Sequence, residues 1–128
     1  MAWNIENNRS VYIQLVEHIQ KRILSGEYAP GDKLPSVREL AKDAGVNPNT
    51  MQRAFQELER QGLVYANRTS GRFITDNQTV LKNAAEQQAH AIVEHYYVQM
   101  RDLGFDKEAM ITMLEQYEEN QDERKGEQ

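Results

Sequence analysis

The chain has 128 residues, 39% of them hydrophobic and 27% charged, with a net charge of −5 and no cysteine. That balance suits one folded domain, or a small domain with an appendage, and excludes a disordered chain. Zero cysteine excludes disulfides, cysteine-zinc sites and thiol catalysis and fits a reducing cytoplasm, and no apolar run is long enough for a bilayer and no basic-then-apolar leader stands at the start.

Tyr12, Leu15, Val16, Ile19 and Ile23 recur at three- and four-residue spacing in "VYIQLVEHIQKRILSG" and predict a first amphipathic helix. Ser10 is placed to cap its start and Gly26 its end. "YAPGDKLP" reads as a loop with a Pro30-Gly31 turn. Ser36-Val37-Arg38-Glu39 has the form of a capping box, in which the Ser36 hydroxyl accepts from the Glu39 N–H and the Glu39 carboxylate accepts from the Ser36 N–H. The short helix it opens stops near Gly45, where the missing Cβ permits positive φ. Asn47 and Pro48 restart the chain as N-cap and first helical residue. Met51, Ala54, Phe55 and Leu58 then form the buried stripe of a third helix that ends at Gly62. After it, "LVYA" and "RFIT" flank the turn "NRTSG" as a β-hairpin. The fold class is mostly α with a small hairpin, a winged helix-turn-helix over residues 1–76 followed by a two-helix tail over 77–128.

The free face of the third helix presents Asn49, Gln52, Arg53 and Gln56, with Thr50 at its polar start. A helix that enters the major groove needs short polar side chains at its N-terminus, because those tips meet base edges while the body of the helix holds the core. Asn and Gln pair with adenine and Arg with guanine. The hairpin turn carries Arg68, Thr69, Ser70, Gly71 and Arg72, cations and hydroxyls suited to phosphate or the minor groove. Taken singly, Asn47 is explained as a cap, Gly71 as a turn and the arginines as solvated charges. Their conjunction, in this order, points to double-stranded DNA. Charge is distributed accordingly: residues 1–76 carry 10 Lys+Arg against 9 Asp+Glu, and residues 77–128 carry 5 against 11. A near-neutral front half can hold a basic face, while the acidic rear half turns from phosphates.

"GEYAPGDKLPSVRELAKDAGVNPNTMQRAFQELERQGLVYANRTSGRFI" resembles the DNA-binding domain of the GntR-type bacterial transcription regulators nearly throughout. The "VNPNT" turn, the small size and the short helical tail look most like the YtrA subfamily. That resemblance implies a homodimeric regulator, usually a repressor, on an inverted-repeat operator, with a transporter operon nearby. It places Arg38, Asn49, Thr50, Gln52 and the wing tip around Gly71 at DNA-contacting positions. Some relatives carry arginine where this chain has Pro48 and Gln52, so operator sequence does not transfer with the resemblance.

In the tail, Leu81, Ala84, Ala85, Gln88, Ile92, Tyr96, Met100 and Leu103 recur every three or four residues and predict a long helix with an apolar seam. Gly104 breaks it. Asp106 is placed to cap a second helix, striped by Met110, Met113, Leu114 and Tyr117. Two helices this short make no independent core. A second copy would cover them, so Leu81, Ala85, Ile92, Tyr96, Met100, Leu103, Met110, Met113, Leu114 and Tyr117 are the expected dimer contacts, with packing on the chain's own winged domain as the alternative. The end, "EENQDERKGEQ", is expected to fray.

Other classes are weaker. The 52-residue tail is too short for a separate effector domain. A crevice lined by Tyr96, Tyr97, Met100 and Tyr117 is more often core than ligand box, and the effector is unknown. His90 and His95 are five apart, off the i,i+4 spacing metals favour, so neither metal nor cofactor is expected. No phosphate-binding glycine loop and no recognisable Ser/His/acid frame supports an enzyme. A winged helix that binds protein would show an apolar third-helix face, and here that face is polar. Salt discriminates the two, because DNA binding weakens steeply as ions compete for phosphates.

Overall fold

The computed structural model describes residues 3–126, which hold five helices and one antiparallel hairpin. In chain order these are α1 (Val11–Leu24), α2 (Val37–Ala44), α3 (Pro48–Arg60), β1 (Val64–Asn67), β2 (Gly71–Ile74), α4 (Gln78–Asp102) and α5 (Lys107–Gly126). The chain divides after Ala85 into two compact units.

The first unit is built on the stripes that the spacing predicts. Leu15, Ile19 and Ile23 of α1 meet Leu40 and Ala41 of α2 and Met51, Ala54, Phe55 and Leu58 of α3 in one buried cluster, closed below by Val64 and Ile74 of the hairpin. Each large side chain buried there contributes about 1.5–3 kcal/mol. Ser36 caps α2 by accepting from the Glu39 N–H at 3.1 Å; among the described residues only this half of the capping box forms. Asn47 caps α3, its Oδ1 accepting from the Asn49 N–H at 2.8 Å, with Pro48 at the first helical position. Ser10 makes no side-chain cap for α1. Gln14 instead anchors the segment before the helix. Its amide donates to the Glu6 carbonyl at 2.8 Å and accepts from the Glu6 N–H at 2.7 Å, which ties the preceding segment to the first turn of the helix.

Between α2 and α3 the chain turns on Gly45, which sits at φ 71°, ψ 37°. Its N–H and that of Val46 satisfy the Lys42 and Ala41 carbonyls at 3.3 and 3.0 Å. A Cβ in this left-handed conformation costs about 1–2 kcal/mol. Gly45→Ala is therefore expected to lower the unfolding free energy by that amount in urea denaturation. An unchanged midpoint would mean that the turn does not need the left-handed residue.

The hairpin pairs Val64 with Ile74, Tyr65 with Phe73, Ala66 with Arg72 and Asn67 with Gly71. Both strands lie one residue nearer the turn than "LVYA" and "RFIT" suggest. The turn itself is held by Asn67, whose Oδ1 accepts from the Thr69 N–H at 3.1 Å. On the other edge of β2 the segment before α2 adds as a short third strand. Ile74 N–H donates to the Asp32 carbonyl and Leu34 N–H to the Arg72 carbonyl, both at 2.8 Å, with Lys33 bridged to Phe73. This pairing sets the start of α2 beside the wing.

The first unit extends to Ala85 and takes in the opening turns of α4. Asn77 caps α4 by accepting from the Thr79 and Val80 N–H groups, and the opening turns of the helix pack Val80, Leu81 and Ala84 against the winged core. The second unit holds the later turns of α4 and α5. Gly104 makes the turn at φ 93°, and Asp106 caps α5 through the Ala109 N–H at 2.9 Å, as its position predicts. Tyr96 donates its hydroxyl to the Met110 carbonyl at 3.1 Å, and Met110 is buried beneath it. In the charged end expected to fray, α5 is assigned through Gly126, and Glu127 and Gln128 lie outside the described residues.

Candidate nucleic-acid interface

A groove of about 700 Å³ runs between the start of α2, the middle of α3 and the wing. Six of the residues singled out for DNA contact line it: Arg38, Gln52, Thr69, Ser70, Gly71 and Arg72. They come from three elements and meet because β2 pairs on one side with β1 and on the other with the strand leading into α2. Ser36 and Glu39 line the groove too. So does Lys33, an exposed cation that the sequence reading passed over as part of a loop.

The remaining α3 residues stand at or near the start of that helix. Asn49 is exposed and Thr50 half-buried, while Phe55 and Leu58, both fully buried, hold the back of the helix in the core. Asn47 is exposed but its side-chain oxygen is already spent on the cap. Arg53 lays its guanidinium over the Tyr12 ring of α1, 3.7 Å from the centroid. The stacking fixes the stem of the arginine along α1, and the side chain remains exposed at its edge.

The wing cations differ in kind. Arg68 is exposed at the tip and makes no hydrogen bond or ion pair among the described residues. Arg72 flanks the turn as its position predicts, and it is already paired. Its guanidinium is turned inward, paired with Glu59 on α3 and lying 5.1 Å from the Phe55 ring. At the far end of α3, Arg60 donates from Nε to Glu57 at 2.8 Å and holds that carboxyl down at about 2. Glu57 and Arg60 thus satisfy each other at the end of the helix remote from its polar start.

The segment from Val11 to Ile74 matches the family model described as "Bacterial regulatory proteins, gntR family". The chain belongs to the GntR family. It is 36% identical over 114 residues to the uncharacterized HTH-type transcriptional regulator YhcF of Bacillus subtilis, covering 89% of this chain and 94% of that one. It is 45% identical over 67 residues to the HTH-type transcriptional repressor YtrA of the same organism, a match that spans 52% of each chain. Among solved structures, a GntR family transcriptional regulator from Listeria monocytogenes superposes with a TM-score of 0.82 at 35% identity, over 88% of this chain and 98% of that one. This GntR chain is a sequence-specific DNA-binding transcriptional regulator of YtrA-like type with a winged helix-turn-helix, and its family consists of regulators, not enzymes.

The tail of this GntR regulator leaves much apolar surface open. Ile92, Leu103, Leu114 and Tyr117 are 66%, 72%, 55% and 65% exposed. Others of the expected dimer contacts also make contacts within the chain. Leu81 packs on the winged core, and Tyr96 and Met110 join α4 to α5. Of the tyrosines named for a ligand crevice, Tyr96 is tied to α5, and Tyr97 and Tyr117 are exposed. Among the described residues no three His, Cys, Asp or Glu side chains gather where a metal could bind, and no helix is long and apolar enough to cross a membrane.

Proposed function

We propose that this GntR regulator is a cytoplasmic homodimeric repressor that occupies an inverted-repeat operator. The observation that carries the reading is the groove that joins Arg38, Gln52 and the wing residues Thr69, Ser70 and Gly71 beside the exposed polar start of α3. In this reading α3 lies in the major groove with Asn49, Thr50, Gln52 and Arg53 toward base edges. Asn47 fixes the first turn. Arg38, Arg68 and the wing hydroxyls take phosphates or the minor groove, and Arg72 braces the wing from within. Residues 77–128 serve as the dimerisation tail, with the exposed side chains of the α4–α5 hairpin as the apolar surface that a second copy covers. Two such units would set recognition helices in major grooves roughly 34–36 Å apart, or a multiple of that. Bound near a promoter, the dimer excludes polymerase. The repressor YtrA, similar over about half its length, supports this sign of regulation, and the resemblance to its group points to a transporter operon.

Selection of duplexes from a random pool by the purified protein tests the whole reading. Enrichment of an inverted repeat supports a symmetric DNA-binding dimer, and a single asymmetric site or no enrichment defeats it. On the selected operator, Asn49→Ala is expected to weaken binding by about 1–3 kcal/mol, with little change on scrambled DNA and none in the thermal transition. Equal loss on both duplexes would assign Asn49 to phosphate.

A further inference from the structure

We propose that Lys33 is a DNA-contacting residue of the groove, the cation that holds a phosphate between the start of α2 and the wing, in the place that sequence gives to Arg72. The proposal rests on the groove being the DNA face. Its first support is a local charge balance. Arg38 and Glu39 bring opposite charges to the groove, and Arg72 arrives already paired with Glu59. Lys33 is the remaining ionised side chain of the lining. With Lys33 the groove is net positive, and its ammonium is a cation, beside Arg38, that a phosphate contact exchanges for a counterion of DNA.

The second support is geometry. The backbone of Lys33 is fixed by its bridge to Phe73, with Leu34 N–H on the Arg72 carbonyl at 2.8 Å. From there the side chain runs across Gly71 at the wing. A Cβ built on Gly71 would stand 3.1 Å from Lys33 Cε and 3.8 Å from its Nζ. The absence of a side chain at 71, which φ 102° already favours, also leaves room for the lysine stem. The aliphatic part is thus laid down on the wing while the ammonium is exposed, with no ion pair among the described residues. An unpaired cation on a fixed stem loses little freedom when it meets a phosphate. Arg72, by contrast, would have to break its ion pair with Glu59 and leave the Phe55 ring.

The test is the salt dependence of binding by the full chain, measured with the selected operator and a scrambled duplex across a series of potassium chloride concentrations. Lys33→Gln is expected to make the log–log slope shallower by about 0.9 on both duplexes, the value for one phosphate contact, as Arg38→Gln does. Lys33→Arg is expected to keep the parental slope, and Arg72→Gln to leave it unchanged. Because Lys33 is exposed, its variants keep the parental thermal transition. A parental slope in Lys33→Gln beside a shallower one in Arg38→Gln would remove Lys33 and leave the groove as the DNA face. A shallower slope in Arg72→Gln would return the phosphate to Arg72. Parental slopes in both Lys33→Gln and Arg38→Gln would defeat the groove reading, and the proposal with it.

Discussion

Ile92→Asp combined with Leu103→Asp is expected to convert the protein to monomers and to lower affinity for a full operator by ~10²–10⁴. Ile92 stands on α4 and Leu103 just past its end, about three helical turns further along the chain, exposed at 66% and 72%. In a monomer that exposure makes them harmless, since surface substitutions usually stay within about 0.5 kcal/mol. Under a partner's helices each would bury an unpaired carboxylate, which is costly. The loss of affinity is the loss of linkage: in the dimer the second half-site is met at high effective concentration, and in the monomer it is a separate event. Binding to an isolated half-site should therefore change little. Sedimentation velocity, run beside titrations on full and half operators, separates the parts of the claim. A dimer that persists in the double variant would move the interface off this face of the tail. A truncation after Ala85, which keeps the winged core with Val80, Leu81 and Ala84, should also be monomeric and bind a half-site.

Phe55→Ala is expected to cost about 3–5 kcal/mol of stability, a large share of the 5–15 kcal/mol typical of a small domain. Phe55 is fully buried between α1, α2 and the hairpin, and its ring lies under the guanidinium of Arg72. Truncation removes the apolar contacts and leaves a cavity that the surrounding helices fill only in part. It also takes away the ring on which Arg72 rests, leaving the Glu59 ion pair to hold that guanidinium. Urea unfolding of the winged unit reads the loss. A change below about 1 kcal/mol would mean that the core collapses around the gap, and that α3 is held by the other members of the stripe.

The winged half of the protein was legible largely because its signals are local. The stripes of α1 and α3, the Ser36 and Asn47 caps, the left-handed Gly45 and the "NRTSG" turn each involve residues within a turn or two of one another. Each follows from hydrogen-bonding geometry and side-chain period alone. Even here one local rule did not apply: Ser10 was available to cap α1 but makes no side-chain cap, while Gln14 reaches back to Glu6 and ties down the preceding segment.

What only the tertiary structure decided was the direction of the long charged side chains and the extent of each unit. A guanidinium on a flexible stem has no preferred partner until distant segments are placed beside it. Arg72 meets Glu59 because β2 folds back along α3, and Arg53 meets Tyr12 because α1 crosses α3. Lys33 reads as an ordinary loop residue until the strand before α2 pairs with β2 and sets it across Gly71. Leu81 fits the seam of the tail by period, yet period says only that a face is covered. The packing of the opening turns of α4 decides that the winged core covers it. Periodicity and capping depend on neighbours in the chain, which the sequence states outright, while the choice among partners depends on neighbours in space, which exist only after the strands and helices have met.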